Sequence, residues 1–389
     1  MINVGQRRGG ISLGLAIMLV PAILATQSAQ AQTFTLLYAF GNGTDGSTPY
    51  AGLVRDSAGN LYGTTFSGGT ASSGTVFKVD PNGKETVLHN FKAGADGAIP
   101  FAGLVRGPGG ALYGTTVEGG ASNFGTVFRL STTGKETVLH SFNSQDGSYP
   151  DAGLLRDSAG NLYGATVEGG DSNLGTVFEL DTTGKQTVLH SFTGGANDGR
   201  FSYVYGSLVR DAAGNFYGTT LAGGASDQGI VFKLDTAGTE TVLYNFTGGT
   251  DGGYPYAGLV IDRKGNLYGT TYLGGASGQG TVFKLSNTGE ETVLYSFTGG
   301  ADGGSPTARL LRDGKGNLYG TTYYGGASNA GVVFRLDPTH KETVLHSFDY
   351  ANDGGYPTAR LIRDAAGSLY GTASAGGASN HGTVFKLTP

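Results

Sequence analysis

The sequence predicts an all-β chain folded as a seven-bladed β-propeller, each blade a four-stranded antiparallel sheet. Three observations carry this. First, the phrase LYGTT or a near-copy recurs seven times, marked by Tyr62, Tyr113, Tyr163, Tyr217, Tyr268, Tyr319 and Tyr370. The steps between these tyrosines are 51, 50, 54, 51, 51 and 51 residues, a period that points to propellers, solenoids or arrays. Second, each period holds four short runs rich in Val, Leu, Tyr, Phe and Thr, bounded by Gly, Asp, Asn or Pro. Third, the ends are offset. "TFTLLYAF" (33–40) reads as a fourth strand with no first three before it, and "GTVFKLTP" (382–389) as a third strand with no fourth after it. Ring closure lets the first strand complete the last blade and hides the sheet edges. An open solenoid gains nothing from the offset and needs capping repeats.

In the first copy the strands, A to D, are "AGLVRD" (51–56), "NLYGTTF" (60–66), "GTVFKVD" (74–80) and "KETVLHNF" (84–91). The A–B and C–D connections are tight, with glycine near the end of each turn, where a hairpin loop needs a left-handed residue. One C–D turn, "DPTHK", puts His340 there instead. The B–C and D–A connections are longer and glycine-rich. No stretch beyond the first 31 residues has helical periodicity of useful length. Strand B and the repeated strand-C phenylalanines (Phe77, Phe128, Phe178, Phe232, Phe283, Phe334 and Phe385) read as scaffold. Leu and Tyr pack between blades, and Gly allows the next sheet to come close.

Residues 1–31 read as a secretory signal and 32–389 as the propeller, with seven repeats of about 51 residues. Arg7 and Arg8 form a positive start, "ISLGLAIMLVPAILA" (11–25) an apolar run, and "AQA" (29–31) a small-x-small cleavage pattern. The apolar run is short for a membrane span and is interrupted by Pro21. The paired arginines leave twin-arginine export open beside general secretion, although Gly-Gly follows them. A secreted or periplasmic location follows, with no membrane span in the mature protein, which is expected to be a monomer. Cleavage takes the net charge from −5 to −7 by removing the two arginines. A mildly acidic chain is a poor partner for nucleic acid. Cysteine is absent, which excludes disulfides, thiol catalysis and thiolate metal sites.

The phrase GNLYGTT…GG…GTVFKLD…GKETVLHSF resembles the GloVer (Gloeo-Verruco) tandem repeat of bacterial secreted proteins, choice-of-anchor type, over residues 33–389. The resemblance implies a bacterial, extracytoplasmic protein and no particular activity. Relatives often carry a C-terminal sorting or anchoring tail. This chain stops at Pro389, right after the last C strand, which favours a soluble form. "D-x-x-G-N-L-Y" is also similar to NHL-type propeller repeats, a likeness that bears on fold alone.

An up-and-down meander places the B–C and D–A loops on one face, where binding residues concentrate. Every D–A loop carries an Asp-Gly pair: Asp45, Asp96, Asp146, Asp198, Asp251, Asp302 and Asp353. These aspartates read either as Asx turns or as hard-oxygen ligands for calcium, the one cofactor considered. The second position of strand A reads Gly52, Gly103, Gly153, Ser207, Gly258, Arg309 and Arg360. Two neighbouring blades thus place guanidinium groups in the channel, either paired with loop aspartates or forming an anion site. In the B–C loops, Glu118 and Glu168 could act as an acid/base pair on a glycan, while Tyr272, Tyr323 and Tyr324 could stack on sugar rings. Four of the six histidines (His89, His140, His190 and His346) occupy a D-strand position held by Tyr in other copies and read as outer-strand packing. No nucleophile elbow, phosphate loop or HExxH is present. The reading is a binding or scaffold propeller that recognises a glycan or protein by its loop face. The alternative is a carbohydrate-active or ester-cleaving enzyme using the same face.

Overall fold

The computed structural model describes residues 1–2, 5, 32–41, 43–200 and 207–389. The chain divides into two units, Met1–Ala31 and Gln32–Pro389. The signal reading lies outside the described residues, apart from Met1, Ile2 and Gly5.

The second unit contains seven four-stranded antiparallel sheets among its described residues. The first blade is Val54–Arg55, Leu61–Thr65, Thr75–Val79 and Glu85–Asn90. The seventh is Ile362–Arg363, Leu369–Ala373 and Thr383–Thr388, completed by Thr33–Ala39. Thr33 pairs with Thr388 and Ala39 with Thr383, so the chain start supplies the outer strand of the last blade. The ring is closed. Strand A is shorter than the sequence suggests, since only Val54–Arg55 of residues 51–56 joins the ladder. The preceding carbonyls are met by side chains of the neighbouring blade instead. Thr64 Oγ1 donates to Ala102 O at 3.1 Å, and Thr372 Oγ1 donates to Ala51 O at 3.1 Å across the closure. The second Thr of the phrase works within its blade: Thr65 Oγ1 lies 2.9 Å from Thr75 Oγ1.

The glycine of LYGTT has a steric cause. A Cβ on Gly63 would lie 2.6 Å from Phe77 Cζ, and the same approach recurs at Gly269 over Phe283. The strand-C ring lies against this glycine and meets, edge-on, the phenylalanine that ends strand D of the preceding blade. Ring centroids are 5.1 Å apart for Phe40–Phe77 and for Phe246–Phe283, and 5.2 Å for Phe348–Phe385. Such edge contacts add to the burial of large apolar rings. The tyrosine of the phrase faces the tight-turn side. Tyr62 Oη donates to Asp56 at 2.9 Å, and the Arg106 guanidinium of the next blade lies 5.9 Å from its ring centroid.

Two stability predictions follow from these contacts. Phe40 is fully buried in the closing seam and Phe246 in a mid-chain seam. Each Phe→Ala replacement should cost about 3–5 kcal/mol. Equal losses in denaturant titrations would show that the closing seam is as strong as an internal one; a negligible loss for Phe40→Ala would count against tight closure. His340 adopts φ 67°, where the equivalent Gly83 has φ 83°. His340→Gly should therefore raise stability by up to about 1 kcal/mol, despite the added freedom of the unfolded chain.

Candidate functional site

Loop-face geometry begins with the residue before each proline. Thr48, Ile99, Tyr149, Tyr254, Ser305 and Tyr356 all have φ between 51° and 60°. Side chains rarely adopt this conformation, and here each is locked from two sides. Its N–H donates to the B–C loop of the preceding blade, as in Thr48 to His381 O at 2.9 Å and Tyr356 to Ala330 O at 2.8 Å. Its carbonyl accepts from its own blade, as from Phe66 N at 3.0 Å and Ser374 N at 3.3 Å. The clasp directs the residue after the proline toward the central channel. That position holds Tyr50, Phe101, Asp151, Tyr256, Thr307 and Thr358.

A cavity of about 260 Å³ opens at the channel, lined by Tyr50, Phe101, Asp151, Ser207, Arg309 and Arg360 among others. The small residues at the second position of strand A leave the space. Gly52 stands against Arg360, and a Cβ on Gly52 would come within 3.2 Å of Arg360 O. Arg309 and Arg360 fill the position in blades six and seven. Among the described residues neither forms an ion pair, and the buried Arg309 Nε has no hydrogen-bond partner. Burial and the neighbouring Arg360 guanidinium push Arg309 down to about 9. Arg360 is also lowered by its concave surroundings, though its atoms reach solvent. Two like charges thus face one cavity, and among the described residues neither has an ion-pair partner. Asp151, 8% exposed, comes from the third blade, across the ring from the seam of blades six and seven.

Tyr50 lines the cavity and acts on Tyr323 of a wider tyrosine group. Tyr323 stacks on Tyr356 at 4.8 Å and Tyr256 meets Tyr272 at 4.9 Å. Tyr50 meets Phe101 at 5.1 Å. Burial pushes Tyr323 up to about 12, helped by the hydroxyls of Tyr324, Tyr50, Tyr356 and Tyr272. Hydroxyls from blades one, five, six and seven therefore converge on Tyr323. The two B–C loop positions behave differently. Tyr272 and Tyr323 are half-buried at the first, while Glu118, Glu168 and Tyr324 are exposed at the second. Glu118 and Glu168 pair through their backbones with Ala98 and Ser148, and neither lines the cavity. Tyr324 still reaches the cluster edge-on, 4.7 Å from Tyr323.

The seven loop aspartates sit at the outer ends of the blade seams. Each is faced by a Tyr or His of its own D strand. Tyr38 donates to Asp45 at 2.7 Å, Tyr244 to Asp251 at 3.1 Å and Tyr295 to Asp302 at 3.0 Å. The imidazoles of His89, His140, His190 and His346 face Asp96, Asp146, Asp198 and Asp353 at 3.3, 3.1, 3.6 and 2.7 Å. His and Tyr thus interchange because each can offer a hydrogen-bond donor, beyond the packing role read from sequence. Backbone N–H groups complete the turns, as from Gly41 to Asp45 and Thr247 to Asp251. The next blade adds a glutamate. Glu85, Glu136, Glu291 and Glu342 are pushed up to about 7, first by burial and then by the facing Asp45, Asp96, Asp251 and Asp302. Gln186 and Phe34 replace this glutamate in two seams, and Phe34 stacks on His346 at 4.0 Å.

Because these glutamates hold their protons more tightly folded than unfolded, their contribution favours folding fully below about pH 4.5 and is lost as pH rises through 7. The melting temperature should rise as pH falls from 8 to 5. Replacing Glu85, Glu136, Glu291 and Glu342 with Gln, the residue at 186, should flatten that rise; an unchanged slope would show that other groups govern it.

The fold is a closed, repeat-built propeller with Arg309, Arg360 and Tyr50 among the residues lining its channel cavity. Residues 23–204 and 196–385 match the Gloeobacter/Verrucomicrobia repeat, and the chain belongs to that family. No curated protein matches it. Among solved structures it is similar to a streptogramin B lyase, with TM-score 0.61 and 12% identity, over 92% of this chain and 97% of the other. It is also similar to an extracellular domain assigned to a hybrid two-component system of B. thetaiotaomicron, with TM-score 0.59 and 15% identity. That match covers 92% of this chain and 41% of the other. At these identities the likeness concerns the fold alone. Among the described residues no helix is long and apolar enough to cross a membrane.

Proposed function

We propose that this chain is an extracytoplasmic binding propeller whose channel mouth holds a carboxylate-bearing glycan or a similar small anion. The observation that carries the reading is the Arg309–Arg360 pair, two adjacent guanidinium groups facing one cavity with no ion-pair partner among the described residues. Like charges held together in a concave site are a recurrent mark of binding function, and guanidinium suits carboxylate geometry. The tyrosine rings of blades one, five, six and seven offer faces for a sugar and hydroxyls for its oxygens. An otherwise acidic protein repels anions elsewhere, so the arginines dominate orientation. The extracytoplasmic setting rests on the leader-like first 31 residues and on family membership.

A glycan array comparing uronate-containing with neutral oligosaccharides tests the reading, followed by Arg309→Gly/Arg360→Gly. Glycine occupies this position in blades one, two, three and five, so the variant should fold, and relief of like charge should leave its melting temperature unchanged or higher. Loss of charge-assisted hydrogen bonds should weaken uronate binding by about tenfold or more. Wild-type binding should also fall with rising salt. Undiminished binding by the double variant would place the site elsewhere.

A further inference from the structure

The seam between the third and fourth blades differs from its six counterparts. The step from Tyr163 to Tyr217 is 54 residues rather than 50 or 51, and the extra residues fall in the loop that carries Asp198. Here strand D of blade three presents His190, the loop presents Asp198, and strand D of blade four presents Glu240. One donor atom from each lies within 4.8 Å of both others, and among the described residues this is the one His/Asp/Glu group that closes so far. His89, Asp96 and Glu136 have the same types in the seam between blades one and two and do not meet that limit.

The three donors are poorly served by one another. His190 Nε2 stands 3.6 Å from Asp198 Oδ1, beyond a good hydrogen bond, whereas His346 and Asp353 close to 2.7 Å. His190 Nε2 and Glu240 Oε1 are sealed from solvent and have no hydrogen-bond partner. Asp198 is 7% exposed and held in place, with Oδ2 accepting from Thr193 N at 2.7 Å and Oδ1 from Gly199 N at 2.7 Å. Donors on a zinc shell of about 2.0–2.2 Å stand roughly 3.3–3.6 Å apart in a tetrahedron, close to the His190–Asp198 separation.

We propose that the seam between blades three and four binds one divalent cation of the zinc class through His190, Asp198 and Glu240, with water completing the shell. A cation between the two carboxylates offsets their mutual repulsion. It satisfies the orphaned Nε2 and Oε1 together. The backbone bonds to Asp198 act as outer-shell supports that fix its orientation. The ion joins two blades at the seam where the loop departs from the repeat, a structural role separate from the channel site.

The test uses the purified protein without a histidine tag, stripped with chelator and titrated with zinc chloride. Metal content and melting temperature are the readouts. Wild type should take up one zinc per chain and melt higher with zinc, by mass action on the folded state. His190→Tyr and Glu240→Gln place at this seam the residues that other seams use, so both should fold. Each should lower zinc affinity by about tenfold or more and abolish the melting shift. His140→Tyr, in the seam that carries Gln186, should respond as wild type does. Absence of zinc uptake by wild type would overturn the assignment, as would uptake that survives both His190→Tyr and Glu240→Gln. Loss on His89→Tyr with retention in His190→Tyr would place the metal at the other seam and equally overturn it.

Discussion

The packing of one phenylalanine edge-on against another, over a glycine that makes room for it, is the contact on which the rest of this ring depends. It recurs at each seam, from Phe40–Phe77 through Phe246–Phe283 to Phe348–Phe385. The glycine cannot be replaced cheaply, because a Cβ would enter the ring it supports. A four-stranded sheet alone buries one face at best. The phenylalanine pair commits the other face to a neighbour, and seven such commitments close only if the first strand returns to the last sheet.

Polar clasps then set the two ends of each seam. On the tight-turn face an arginine of one blade lies over a tyrosine of the one before. On the loop face a left-handed residue before proline bonds to both blades at once. Strained backbone persists where its surroundings over-determine it, and here two hydrogen bonds and the following proline do so. The strain carries positional consequence, since it delivers the next residue to the channel. Repetition supplies the frame, while the features suited to binding arise where repetition fails: two arginines among glycines, tyrosines among aliphatics, and one longer loop.

Much of this was legible in the sequence. Strand order, blade number and ring closure follow from the period and from the offset of residues 33–40 against 382–389. Arg309 and Arg360 stood out because the same position is glycine in four other blades. The shortness of strand A was not legible, since its outer carbonyls are met by threonines such as Thr64 from the adjacent sheet. The partnership of His190, Asp198 and Glu240 was also hidden, since Glu240 lies 50 residues beyond His190 and belongs to the next blade.

The sequence by itself determined the blade, its strands and their closure, because hydrophobic alternation and turn chemistry act locally and repeat. Only the tertiary structure decided which side chains from different blades share a space. The cavity shared by Asp151, Arg309 and Arg360, and the seam shared by His190, Asp198 and Glu240, exist because curvature and twist bring distant copies together. A repeat records what each blade is; the angle between blades decides what two of them hold in common.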